Sequence, residues 1–220
     1  MAESFDFLTA LHDDERAALE EAGAPRSYPA GSTLFHQGDD AGAVYVILGG
    51  RAKTTIINAD GKEAVLSFPG PGELVGELSA IDGTPRGATV SALEPLDTMA
   101  LAGSAFRALL EAHPRLAIVL WQVAATRLRE ADHQRLDFAA YDVTGRVARR
   151  LVELADEQGS PGSPVELGLA LSHDELAAWT AASREAVSRA LMTLRELGWI
   201  ETRRRRITVL DLAALRRYAA

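Results

Sequence analysis

Arg184, Glu185, Ser188 and Arg189 carry the most informative chemistry in this chain. Their spacing places them on one face of a helix, while Val187, Leu191, Leu194 and Leu197 form an opposite apolar stripe. A guanidinium fork can bond O6 and N7 of guanine, and a carboxylate can accept from cytosine N4. Glu185 and Arg189 also suit a plain i,i+4 charge pair on a solvated surface. A little further on, Arg203, Arg204, Arg205 and Arg206 are consecutive. Arg204, Arg205 and Arg206, together with Ser172 and Ser183, are candidates for phosphate contacts, which fix register without reading sequence. An arginine run is equally at home in a solvated turn.

The elements around these residues give them a setting. Ser172-His173-Asp174-Glu175 has the capping-box pattern and opens a helix through about Trp179. A turn at Ala181-Ala182 leads to Ser183, which can cap a second helix running to Leu197-Gly198. Two short helices joined in this way match a helix-turn-helix. Trp199-Ile200-Glu201 and Arg206 to Leu210 then form a hairpin about the arginine run, a basic wing. Upstream, Asp142 can cap a helix to about Gln158, and residues 159–164 are a loop by composition.

Residues 27 to about 103 read differently. Leu34-Phe35, Val44 to Leu48, Lys53 to Ile57, Ala64 to Phe68 and Ala88 to Val90 are β-prone runs punctuated by glycine-rich turns. They predict a small antiparallel barrel or roll, preceded by a short helix over Asp13 to Ala22. Ser104 can cap a further short helix, and His113-Pro114 opens a long one. On that helix Ala117, Trp121, Ala124, Leu128, Ala131 and Phe138 follow the steps of a coiled-coil seam, with Arg135 as one seam position. A helix of about 25 residues spans roughly 35–40 Å, more than a small barrel can cover. The spacing therefore predicts homodimerisation, the alternative being a stripe packed on its own domain. The fold class is α+β: a β-roll domain over 1–112, a dimerisation helix and hinge over 113–141, and a winged helix-turn-helix over 142–220.

Composition bounds the function. The chain has 220 residues, a hydrophobic share of 47% and a charged share of 25%, ordinary for a folded protein. It has no cysteine, which excludes disulfides, thiolate metal sites and cysteine nucleophiles. It has no apolar run long enough to span a membrane and no basic, apolar leader, so a cytoplasmic protein is expected. The net charge of −8 would argue against a nucleic acid partner if it were evenly spread. Residues 1–141, however, hold 11 basic and 20 acidic side chains, whereas residues 142–220 hold 12 and 11. The acid belongs to the first part. No H-E-x-x-H, nucleophile elbow, Walker loop or paired-histidine metal site is present, so neither catalysis nor a metal is expected.

The whole chain resembles the Crp/Fnr family of bacterial transcription regulators. The resemblance rests on Asp142-Val143-Thr144-Gly145-Arg146 at the hinge and Ser183 to Arg189 on the second helix of the motif. Gly76-Glu77-Leu78, Tyr28-Pro29-x-Gly31 and Leu34-Phe35-x-x-Gly38-Asp39 also agree. It implies a cyclic-nucleotide-type β-roll, a dimer helix, a winged helix-turn-helix, double-stranded DNA as partner and contact with RNA polymerase. It also implies that Arg184, Glu185 and Arg189 read bases in a TGTGA-like half-site; a shift between two dimer arrangements would use the segment from Leu136 to Asp142 as its bistable hinge. The wing departs from the family, relatives often having glycine where Arg205 stands.

In this light Gly76, Glu77, Leu78, Arg86 and Gly87 form a phosphate cassette for cyclic AMP or another cyclic nucleotide. Gly76 permits close backbone approach, Glu77 can accept from a ribose hydroxyl and Arg86 can pair with a phosphate. Glu77 and Arg86 could instead pair with each other and brace the turn. The resemblance also marks losses. Cyclic-AMP-binding relatives have Ser or Thr where Gly87 stands, and polar side chains at the places of Ala131 and Asp132 on the dimer helix. At about 0.5–1.5 kcal/mol per hydrogen bond, three such losses weaken binding roughly ten- to a thousandfold. Another small molecule, no ligand at all, or a sensor acting on a protein partner stay open. His133 beside Asp132 is either a sensing pair or an exposed polar surface.

Overall fold

The computed structural model describes residues 5–157, 164–203 and 206–219. The chain divides into two compact units, Phe5–Arg127 and Leu128–Ala220, and one long helix contributes to both.

In the first unit, α1 (Asp13–Ala22) begins with Asp13, Asp14 and Glu15, which suit the positive end of the helix dipole. Eight strands follow, interrupted by one short helix: β1 (Ala24–Tyr28), β2 (Thr33–Phe35), β3 (Val44–Gly49), β4 (Ala52–Ile57), β5 (Glu63–Ser67), β6 (Leu74–Val75), α2 (Glu77–Asp82), β7 (Thr89–Ala92) and β8 (Leu96–Leu101). They form two four-stranded antiparallel sheets, ordered β1-β8-β3-β6 and β2-β7-β4-β5. Ile47, Val75 and Leu96 of the first sheet share a core with Ala52, Val90 and Ala92 of the second, so the sheets close on each other as a roll. Gly50 makes the tight β3–β4 turn possible: its φ is 77°, and a Cβ there would lie 2.1 Å from the Pro95 carbonyl oxygen.

The roll's other apolar layer is helical. Phe7, Leu11 and Leu19, with Phe106 and Leu109 of α3 (Gly103–Ala112), cover Val44, Val46 and Leu101. Ala102, not Ser104, is the N-cap of α3, and no side chain caps it; Ser104 falls inside the first turn. The long helix α4 (Arg115–Ala140) starts just after Pro114. It buries Leu116, Val119, Leu120 and Val123 in the same core, while Ala117, Ile118 and Trp121 face outward. Two apolar stripes therefore run along its first half, and only one is used within the unit.

The second unit holds the end of α4, α5 (Val143–Glu157), β9 (Val165–Glu166), α6 (His173–Trp179), α7 (Arg184–Glu196), β10 (Ile200–Arg203), β11 (Arg206–Val209) and α8 (Leu212–Tyr218). Asp142 caps α5, its Oδ1 accepting from the Gly145 N–H at 2.8 Å. Val147, Leu151 and Leu154 of α5 are buried where that helix meets α7 and α8. The sheet order is β10-β11-β9, all antiparallel, which makes the hairpin a wing beside the helices. Gln158, the loop over 159–163 and the wing tip at Arg204 and Arg205 lie outside the described residues. No helix among the described residues is long and apolar enough to cross a membrane.

Candidate functional site

The helix-turn-helix is built by its caps. The Ser172 hydroxyl accepts from the Glu175 N–H at 3.2 Å, and the Ser172 N–H donates to the Glu175 carboxylate at 2.7 Å, closing the capping box. Ser183 accepts from the Ala186 N–H at 3.2 Å. Both serine hydroxyls expected at phosphates are thus in use as helix caps. Between the helices Ala181 has φ 48°, a left-handed turn taken by a residue with a Cβ.

On α7, Val187, Ala190, Leu191 and Leu194 are buried and Arg184, Glu185 and Arg189 are exposed. Leu197, expected in the buried stripe, is the C-cap residue and stands half in solvent, because the helix ends before it can turn inward. Ser188 is half-buried, its Oγ 2.9 Å from the Nδ1 of His173 on α6. Arg184 Nη1 lies 3.7 Å from Asp174. The Glu185 carboxyl is held below the usual carboxylate range, first by its own backbone N–H, then by the Ser183 hydroxyl and by the charges of Arg184 and Arg189. In the wing, Arg203 pairs with Glu201 at 3.1 Å and Arg206 with Glu166 at 3.0 Å. A cleft of about 260 Å³ opens between the motif and the wing, with Ser172, His173, Asp174, Arg184, Arg203 and Arg206 among its lining. Such a face offers guanidinium groups to base edges and to a phosphate backbone.

The cassette candidates lie in the first unit. Gly76 has φ 83° and is the N-cap of α2, and a Cβ there would sit 2.6 Å from Arg86 Nη1. Arg86 is 3% exposed. Its Nη1 donates to the Gly76 carbonyl at 2.6 Å, its Nη2 donates to the Ala43 carbonyl at 2.5 Å, and its guanidinium lies 4.2 Å over the Phe35 ring. Its Nε is buried without a hydrogen-bond partner, and among the described residues the side chain makes no ion pair. Burial pushes its pKa below the usual arginine value, offset in part by Tyr45, Glu77 and Asp39.

Glu77 does not pair with Arg86. It is 4% exposed, and its Oε1 accepts from Arg127 Nη1 of α4 at 2.5 Å; Arg127 also donates to the Leu74 carbonyl. Each of the two charged cassette residues thus has its own partners. Leu78 is 60% exposed and stands away from the pair. Gly87 is exposed, with open space where a side chain would be. Under the cassette Tyr28 and Tyr45 meet edge to face, and burial with the hydrogen bond to Tyr45 pushes the Tyr28 hydroxyl up to about 12. Among the described residues no cluster of His, Asp and Glu could hold a metal ion.

Ala131 and Asp132 belong to the second unit. Ala131 is half-buried, and Asp132 is exposed and paired with Arg135 at 2.8 Å. Arg127 was not among the residues singled out from sequence. One signal pointed to it: it continues the buried stripe of Leu116, Leu120 and Val123, where a cation demands a buried partner. His173, Asp174 and Glu166 were also missed, since each gains its meaning from a neighbour on another element.

Comparison with known proteins accords with this geometry. Residues 25–113 match the cyclic nucleotide-binding domain, and residues 145–218 match the Crp-like helix-turn-helix domain. The CRP-like cAMP-activated global transcriptional regulator of Mycobacterium tuberculosis is 31% identical over 204 residues, 92% of this chain and 91% of its own. The cyclic AMP receptor protein of Thermus thermophilus is 35% identical over 195 residues, 88% of this chain and 87% of its own. In fold, the chain is similar to the c-di-GMP responsive global regulator CLP of Xanthomonas campestris, with a TM-score of 0.80 and 24% identity over 90% of this chain and 99% of that one.

Proposed function

The chain belongs to the Crp/Fnr family of transcription regulators, and we propose that it works as a homodimer reading a palindromic, TGTGA-like site on double-stranded DNA. The carrying observation is the face of α7, where Arg184, Glu185 and Arg189 are exposed opposite a fully buried stripe. In this reading the arginines bond guanine edges and Glu185 accepts from cytosine. Arg204, Arg205 and Arg206 bond phosphates. The dimer reading rests on α4, whose outward stripe includes Trp121 at 73% exposure, with Leu128 and Phe138 also exposed further along. A twofold dimer places the half-sites about one helical turn apart. RNA polymerase is the expected protein partner and the cytoplasm the expected place of work. No catalytic reaction is assigned, relatives such as that of Mycobacterium tuberculosis being named as transcriptional regulators.

The β-roll takes an anionic effector, and a cyclic nucleotide is the class we infer. A buried guanidinium that makes no ion pair among the described residues favours an anion, and Arg86 is such a group. The phosphate would approach Arg86 and Gly87, with Gly76 and Leu78 shaping the turn and Glu77 accepting from the ribose. Ala131 and Asp132 would face the base from the dimer helix. A second reading, an effector other than cyclic AMP or none, is favoured by Gly87 and Asp132, which supply no hydroxyl and an unfavourable charge.

Two measurements test these readings. Fluorescence anisotropy with palindromic DNA at modest salt should show binding that the Arg184→Ala, Arg189→Ala double variant loses in sequence preference. Indifference to that change would favour a sensor acting on a protein. Calorimetry with cyclic AMP and cyclic GMP should show binding that Arg86→Ala abolishes. No heat with either nucleotide in the unaltered protein selects the second reading.

A further inference from the structure

A buried carboxylate at the end of α4 lies outside both sites. Asp137, in the last turn of α4, is 2% exposed, although it sits on a helix whose neighbouring positions 135, 136 and 138 are exposed. Two arginines of α5 converge on it: Arg149 Nε lies 2.8 Å from Oδ1 and Arg150 Nη2 lies 3.5 Å from Oδ2. The Arg149 contact is an ion pair rather than an aligned hydrogen bond, since neither atom meets hydrogen-bond geometry. Each arginine then reaches further into the DNA-binding unit. Arg149 lies 4.9 Å over the Tyr141 ring and donates to the Ala219 carbonyl beyond α8. Arg150, itself buried, pairs with Glu153 and lies 5.1 Å over the ring of Trp179, the last residue of α6.

We propose that Asp137 is a positioning residue for DNA recognition, fixing the direction in which the helix-turn-helix leaves the end of α4. The chain connection there is the short segment between Ala140 and Val143, where Arg146 of α5 donates to the Tyr141 carbonyl at 2.9 Å and to the Thr180 carbonyl at 2.8 Å. A buried ion pair contributes little net stability against its desolvation, but it accepts few alternative geometries. The carboxylate bridges α4 to α5, and through Arg150 to α6, so one charge touches the packing of three helices. Trading Asp137 for an apolar residue would leave Arg149 and the buried Arg150, both on α5, without the carboxylate of α4. The proposal rests on the reading of the chain as a dimeric DNA-binding regulator, since only in a dimer does the angle of each head set the spacing of two half-sites.

The test compares the full-length protein with Asp137→Asn, Asp137→Glu and Arg149→Met. Anisotropy is measured on palindromes whose half-sites stand at the best spacing or are moved apart by one or two base pairs, and on a single half-site. Thermal melting checks that each variant is folded. Asp137→Asn should lose at least tenfold in affinity at the best spacing while its preference between spacings flattens. Its affinity for the single half-site should stay within twofold. Asp137→Glu should recover most of the spacing preference, and Arg149→Met, which removes one contact of two, should fall between. An unchanged spacing profile in a folded Asp137→Asn overturns the proposal. So does an equal loss on half-site and palindrome, which would make the cluster a support of the head alone. If Asp137→Asn does not fold, the Arg149→Met profile decides by the same criterion. A wild-type protein that binds no palindrome overturns the functional reading instead.

Discussion

Gly87 is where a single atom group would tell most about the effector. A Cβ built there meets no heavy atom within 4 Å, and the backbone is not left-handed, so a side chain is free to enter. Gly87→Ser should therefore raise cyclic AMP affinity about three- to tenfold, the worth of one hydrogen bond at about 0.5–1.5 kcal/mol. Calorimetry measures it, and an unchanged affinity would mean that the phosphate does not lie beside Arg86. Glu15 offers a test of a different kind. It is 3% exposed, and hydrogen bonds from Arg115 hold its carboxyl below 4.5, with the His12 N–H adding to the effect. A carboxyl depressed in the folded state stabilises above its unfolded value and loses that contribution as pH falls through the folded one. Glu15→Gln should cost about 1–2 kcal/mol at pH 7, the half-exposed Arg115 limiting the loss. The gap should narrow as pH falls below 4.5, which urea titrations at neutral and acid pH will show.

At the scale of elements, α4 separates two tasks by face. Leu116, Val119, Leu120 and Val123 pack into the roll's core, and the stripe through Trp121 is left outside it. Trp121→Lys places a charge in that stripe without touching the core, so it should weaken the dimer at least tenfold with little change in melting. Sedimentation at micromolar protein checks this; an intact dimer would put the interface elsewhere. The long helix and its outward stripe were legible in the sequence because a heptad needs only its own spacing. So were the capped helices: Asp142, the Ser172–Glu175 box and Ser183 act within three residues of themselves. Strands β1, β6 and β8 were not. β1 is Ala-Pro-Arg-Ser-Tyr, exposed at four of five positions, and is a strand only because β8 pairs with it about seventy residues away. The same holds for buried charges. Arg86 is held by carbonyls 10 and 43 residues away, and Arg127 by a glutamate 50 residues away, distances at which no local pattern exists. The alternative in which Glu77 and Arg86 pair with each other is therefore the one that the fold does not realise.

For the whole molecule the deciding quantity is where the charge sits. The acidic excess lies in residues 1–141, and the remainder is near neutral with seven of its twelve arginines within residues 184–206. Binding to DNA should accordingly be modest and strongly salt-dependent, because a small basic face must outweigh a large acidic excess. Even that face is partly engaged internally: Glu166 holds Arg206 and Glu201 holds Arg203. Both pairs are exposed, so each is worth little and yields readily to a phosphate. Removing one competitor should then show directly in the salt dependence. Each phosphate neutralised adds about −0.9 to the slope of log K against log salt. If Arg206 reaches the backbone only when released, Glu166→Gln should steepen the slope by about one for each head of the dimer and tighten binding at low salt. Anisotropy across a salt series measures both together. An unchanged slope would mean that Arg206 does not contact phosphate, and that the wing works through other residues.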